Sequence, residues 1–236
     1  MIREAIDRIL ALAEPNVVNI GDETYSDKQL TRITEPLASP LRMTTLTSLV
    51  EYMKHNAAWT DTYMVHVVSP IEVDVVSELN DDRNRETLVT VVAALPEFDF
   101  NRQIDRETFT IGVQSKFVEG AEDDKALILK FAGTVKNGSV AEYSDDGISQ
   151  KATVKKGVSS LTEAVVPSPC KLTPYRTFTE VKQPTSDFIF RLSEGREGDV
   201  RCALYEADGG AWRNEAMNNI KEYLKTELGD RHLIIS

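Results

Sequence analysis

Between Thr44 and Pro96 the spacing of apolar residues changes period, and that change constrains the fold more than any other feature of the chain. In TTLTSLVEYMKHNA, the residues Leu46, Leu49, Val50 and Met53 stand at i, i+3, i+4 and i+7. This is the stripe of an amphipathic helix, which Thr44 or Thr45 can cap. In TYMVHVVSPIEVDVVSEL the period drops to two: Ile71, Val73 and Val75 alternate with Glu72 and Asp74, as in a half-buried strand. NDDRNRE reads as a turn and TLVTVVAALP as a second β-branched run, so the two runs pair as a hairpin. A chain that mixes amphipathic helices with local hairpins in this way is α+β.

The rest of the chain repeats the alternation. Residues 2 to 13 place Ile2, Ala5, Ile6, Ile9, Leu10 and Leu12 on one helical stripe, ended by Pro15. NVVNIGDETYSD reads as a short hairpin, and a polar, flexible connection leads to Pro40. Asp105 can cap a helix carrying Phe109, Val113 and Phe117 and ended by Gly120, although TFTIGV also suits a strand. Asp123 or Asp124 can cap another helix that runs to about Gly133. Residues 139 to 158 read as a hairpin turning at Asp145-Asp146-Gly147. PSPCKLTPYRTF is extended, because each residue before a proline is pushed toward β. DFIFRL and VRCALYEA are two strands joined by SEGREGD. Trp212, Ala216, Ile220, Tyr223, Leu224 and Leu228 then mark a C-terminal helix stopped by Gly229, with HLIIS as a short final strand. The expected organisation is one α+β domain, 1–236, in which residues 1–40 hold the N-terminal helix, hairpin and connection and residues 41–236 the main body.

The formal charge is −11, with 38 acidic against 27 basic residues. Such a surface repels phosphate backbones at long range, so nucleic-acid binding would require a local basic patch. The best one is Lys151, Lys155 and Lys156, to which Lys136 can add if the fold brings it near; a solvated strand face is the plainer reading of it. Tyr175, Arg176 and Phe178, in the proline-flanked segment, form the matching aromatic set that can stack a base or a partner's side chain. The plainer reading there is a covering strand. No apolar run is long enough to span a membrane, and the opening MIREAIDRILALAE is an acidic amphipathic helix rather than a secretion signal. A cytoplasmic protein with no membrane role is expected.

The motifs that carry chemistry are weak. EADGGAW places Gly209 and Gly210 between a strand and a helix, where a phosphate cradle would stand. It has neither the third glycine of a dinucleotide fingerprint nor the lysine and hydroxyl of a P-loop. Asp208 is placed to take the amides a phosphate would need, so the pair reads as a hinge. Cys170, beside Lys171, is the one candidate nucleophile, and Cys202 sits in an apolar strand. The two cysteines and three scattered histidines form no zinc pattern. Glu72 and Asp74 share a strand face, read as the solvent face of a hairpin. No catalytic residue, metal or cofactor is therefore assigned.

Four segments, read in order, give a resemblance. These are TTLTSLVEYMKHN, IDRETFTIGVQSKFVEG, KNGSVAEYSDDGISQKATV and the long stretch from VPSPCKLTPYRTF through DFIFRL to WRNEA. Together they resemble an uncharacterised phage and prophage protein family, a domain of unknown function, over about residues 40 to 225. The resemblance implies origin more than activity: a phage accessory protein in the cytoplasm of a bacterial host, and no catalytic residue carried over. The function expected is that of a non-enzymatic protein acting by self-association and binding, as a homo-oligomer. Three alternatives stand beside it. One is a single-stranded nucleic-acid or recombination accessory protein using Lys151, Lys155, Lys156, Tyr175, Arg176 and Phe178. The second is an inhibitor of host defence that sequesters a nucleotide or binds a host protein, and the third is a phage structural or assembly protein.

Overall fold

The computed structural model describes residues 2–13, 15–21, 23–29, 37–55, 63–80, 83–120, 123–143, 150–156, 160–229 and 232–236. Contacts divide the chain into two compact units, Met1–Ala38 and Ser39–Ser236. The division falls close to the internal boundary drawn from the sequence near residue 40. The expected flexible connection lies largely on residues 30–36, outside the described residues.

In the N-terminal unit, α1 (Ile2–Ala13) precedes an antiparallel hairpin of β1 (Val17–Ile20) and β2 (Glu23–Ser26). Gly21, at φ +66°, takes the left-handed conformation that the tight turn needs. The open end of the hairpin is clasped by Asp27, whose carboxylate accepts from the Asn16 amide nitrogen and side chain at 2.8 Å each. Those hydrogen bonds, the backbone one foremost, hold the Asp27 carboxyl below its ordinary range.

The main body is α+β, as the alternating periods require. Its first layer is a five-stranded sheet, β14-β4-β5-β6-β3, made of β3 (Leu41–Met43), β4 (Tyr63–Ser69), β5 (Glu72–Ser77), β6 (Thr87–Val92) and β14 (Leu233–Ile235). Helices α2 (Leu46–His55) and α5 (Trp212–Leu228) pack on its inner face. The four positions of the α2 stripe, Leu46, Leu49, Val50 and Met53, are all buried there against Val65, Val67, Val73, Val75, Val89 and Val91. At roughly 1.5–3 kcal/mol for each fully buried aliphatic side chain, this contact anchors the helix.

The run taken as a single strand through Ile71 is two strands, β4 and β5, turning at Pro70-Ile71. Proline has no N–H for a ladder and fixes its own φ, so it belongs in the turn. Ile71 is accordingly exposed, while Val73 and Val75 are fully buried.

The second layer is a four-stranded sheet, β11-β12-β13-β7, with β7 (Ile104–Asp105), β11 (Cys170–Leu172), β12 (Ser186–Glu194) and β13 (Val200–Glu206). A three-stranded sheet, β10-β9-β8, adds β8 (Val135–Tyr143), β9 (Gln150–Lys156) and β10 (Ser160–Val165). Helices α3 (Arg106–Lys116) and α4 (Lys125–Thr134) complete a separate core around Phe109, Val113, Ile128, Phe188, Phe190 and Cys202. Asp105 caps α3 as expected, accepting from the Thr108 amide at 2.9 Å. The helix ends at Lys116, before the expected stop at Gly120, because Phe117 turns extended and bridges Pro174. The expected hairpin near residues 139–158 is the β8–β9 pair; its turn at Asp145-Asp146-Gly147 lies outside the described residues. Strand β10, which the sequence did not suggest, adds an edge to it.

Candidate functional site

The extended segment from Leu172 to Ser186 holds three of the candidate binding residues, and its construction decides what each can do. It leaves the second core at Leu172 and runs to Ser186, the start of β12, whose Phe188 rejoins that core, and between them it sends Phe178 and Val181 into the core beneath the five-stranded sheet. Gln183 sets the path. Its side-chain oxygen accepts from the amides of Arg176 (3.0 Å) and Thr177 (3.2 Å), and its NH2 donates to the carbonyls of Thr177, Phe178 and Val181 at 2.9 to 3.3 Å. The Thr177 hydroxyl donates to the Pro70 carbonyl at the β4–β5 turn. One buried amide thus organises the loop that joins the two layers.

This geometry removes two residues from the proposed stacking surface. Phe178 is 1% exposed and belongs to the core, so no base can reach it. Arg176 is 7% exposed and its guanidinium is committed. Nη1 donates to Glu206 Oε1 at 2.7 Å and Nη2 donates to the Ser186 hydroxyl. The guanidinium carbon lies 4.1 Å from the Trp212 ring centroid and 5.5 Å from that of Phe188, a cation held over two aromatic faces. Burial pulls the Arg176 pKa down, while Glu206 and Asp208 oppose that shift. An arginine flanked by an aromatic sequence neighbour reads the same in sequence whether it faces solvent or a half-buried carboxylate.

Tyr175 remains accessible. It is half-buried and lines a cleft of about 560 Å³ between Val118, Gly120 and Asp123 on one side and the 173–185 segment on the other, where Thr173, Thr185 and Lys182 stand beside it. Asp123 is occupied in holding the wall, accepting from the Gly120 amide at 2.7 Å, and the Thr173 and Thr185 hydroxyls bond each other at 2.9 Å. Lys151 is exposed on β9 and does not line this cleft, and the side chains of Lys155 and Lys156 lie outside the described set. The six candidate residues therefore do not assemble into one patch among the described side chains. Trp59, another aromatic of interest, is also outside the described residues.

The glycine pair before α5 makes the bend between β13 and α5. Gly209 and Gly210 have φ of +62° and +82°, and the Gly210 amide donates to Asp208 Oδ1 at 2.9 Å. Burial raises the Asp208 carboxyl, but hydrogen bonds from Ser186, Gly210 and Trp212, with Arg176 nearby, outweigh it and hold the pKa below the ordinary value. A carboxylate stands where a phosphate would have to sit.

The cysteines are chemically quiet. Cys170 and Cys202 are buried and unbridged, and burial pushes each thiol up to about 12. Beside Cys170 the charges of Asp124 and Asp187 add to the rise, so Lys171 does not activate it. Among the described residues no group of three His, Cys, Asp or Glu side chains is arranged to hold a metal ion, and no helix is long and apolar enough to cross a membrane.

The exposed apolar side chains are the other notable feature. In the N-terminal unit Ile2, Ile6, Ile9 and Leu10 are 81%, 51%, 65% and 61% exposed, and Val17, Val18 and Ile20 of the hairpin are exposed as well. Comparison with family models, curated proteins and solved structures finds no match to the chain.

Proposed function

We propose that this protein acts by self-association and binding, with the apolar face of its N-terminal unit as the principal association surface. The exposure of Ile2, Ile6, Ile9 and Leu10 on α1 carries the reading. A helix of twelve residues is marginal by itself in water, and so is an isolated two-stranded hairpin. Among the described residues of α1 and the hairpin no apolar side chain is buried, so both gain stability by covering that stripe. A second copy supplies a matching stripe at no cost in new sequence, in a symmetric contact of one patch with itself. Burying four such side chains contributes on the order of 6–12 kcal/mol per helix before ordering costs, enough to sustain an oligomer.

With Arg176 and Phe178 inside the protein, the single-stranded nucleic-acid reading keeps only Lys151 and Tyr175 of its described side chains, and it is not adopted. Native mass spectrometry and light scattering on the full chain test the proposal. An assembly larger than one chain is expected, and Ile6→Asp/Ile9→Asp is expected to reduce it. A wild-type protein that stays at 26.4 kDa across all concentrations refutes it.

A further inference from the structure

The outer face of the five-stranded sheet carries a second, self-complementary surface. The strand registers align one row of residues across all five strands: Ile235 opposite His66, His66 opposite Asp74, Asp74 opposite Thr90, and Thr90 opposite Arg42. Paired residues share a face, so this row lies opposite the inner row of Ile234, Val65, Val75 and Val89, which is buried under α2 and α5. A parallel row sets Leu233 beside Met64 and Met64 beside Val76. Leu233 and Ile235 are exposed, and Met64, His66, Asp74 and Val76 are half-buried.

At the centre of this face, on the middle strand, one carboxylate oxygen is unsatisfied. Asp74 Oδ1 is buried by its neighbours and has no hydrogen-bond partner. An acceptor shielded from water and left unbonded costs free energy unless a donor arrives from outside the sheet. The donor must come on a surface that also covers Leu233, Met64 and Val76. The chain itself presents such a surface, because His66 stands one strand away from Asp74 on the same face.

We infer that this face docks a second copy of the chain about a two-fold axis parallel to the strands and midway between β4 and β5. That operation sets His66 of each copy against Asp74 of the other, Val76 against Met64, and Ile235 against Thr90. It leaves Arg42 outside the overlap and does not oppose the two Asp74 carboxylates. The strands of the two sheets then run nearly aligned, the usual way in which sheets pack face to face at about 10 Å. Four overlapping strands about 4.8 Å apart and five residues long cover roughly 19 by 17 Å, a small contact of the kind that forms and dissociates readily.

The inference rests on the self-association reading but names a different surface, and the two separate in one experiment. Sedimentation velocity over a concentration series is run on the full chain as wild type, as Ile6→Asp/Ile9→Asp, and as that double variant with sheet-face changes added. The Ile6→Asp/Ile9→Asp protein is expected to keep a concentration-dependent monomer–dimer equilibrium. Leu233→Asp, at an exposed position, and Asp74→His are each expected to weaken that equilibrium by about tenfold or more. The swap His66→Asp/Asp74→His is expected to restore it, because the reciprocal pair is remade, with circular dichroism melts verifying that each variant folds. If the wild type associates but the Ile6→Asp/Ile9→Asp protein is strictly monomeric, the sheet-face inference falls while the wider reading stands. If that variant still dimerises but Leu233→Asp and Asp74→His leave the equilibrium unchanged, or the swap fails to restore what Asp74→His loses, the inference falls too. A strictly monomeric wild type overturns both.

Discussion

Arg176 shows how much one side chain can be asked to do inside a folded layer. It closes the gap between the returning end of the 172–186 segment and the start of α5, bonding Glu206 and Ser186 while stacking between Trp212 and Phe188. Its planar fork suits this, because two fixed donors and a flat cation fit a carboxylate, a hydroxyl and two rings at once. Lysine has the charge without the plane. Arg176→Lys is therefore expected to lower stability by about 2–4 kcal/mol in urea unfolding, since Glu206 and Ser186 lose directed donors and the aromatic slot is left underfilled. Arg213→Ala is the control: that guanidinium also lies over the Trp212 ring, at 5.0 Å, but the residue is exposed, and the change should cost no more than about 0.5 kcal/mol. Equal losses from the two variants would sink the account of a buried latch. Residue identity near a proline could not have revealed this role, because Glu206, the ion-pair partner, is thirty positions away.

Whole elements were more legible than single residues, and the reason is periodicity. The α2 stripe named its own four buried side chains, and the α5 spacing placed Ala216, Ile220, Leu224 and Leu228 on the buried face. Asp105 and Gly229 marked the ends of α3 and α5, because capping and left-handed termination are local demands. Other features escaped. The β4–β5 turn carried a local signal in Pro70, read past because apolar residues stand on both sides of it, and β10 gave no alternation strong enough to notice. Of the candidate site, the bend at Gly209-Gly210 was legible and the fate of Arg176 and Phe178 was not. The bend yields a direct test. A Cβ at Gly209 meets no atom within 4 Å, so Gly209→Ala isolates the cost of holding a side chain at φ +62°. That cost should be about 1–2 kcal/mol, read from the urea midpoint at unchanged slope. An unchanged midpoint would show that the turn before α5 can relax, and that the glycine is not what starts the helix there.

At the scale of the molecule, the main body is two hydrophobic cores with a shared strap. One core lies under the five-stranded sheet with α2 and α5, and the other lies among the four-stranded sheet, α3 and α4. The 172–186 segment belongs to both: Leu172 is buried in one, and Phe178 and Val181 in the other. Cooperativity between two such cores depends on interactions that cannot break in one without loosening the other, and Phe178 is the largest of those on the strap. Truncating it removes a ring that is almost wholly buried, at an expected cost of about 3–5 kcal/mol. The more telling result is its distribution. Native-state hydrogen exchange read by mass spectrometry should show, in the wild type, similar opening free energies for amides in β4–β5 and in β12–β13. In Phe178→Ala the β4–β5 amides should lose most of their protection while those of β12–β13, with Phe188 and Phe190 still packed beneath them, retain it. Equal loss in both sheets would mean that the layers remain one cooperative unit without the strap's aromatic anchor, and that Gln183 and Thr177 alone are enough to join them.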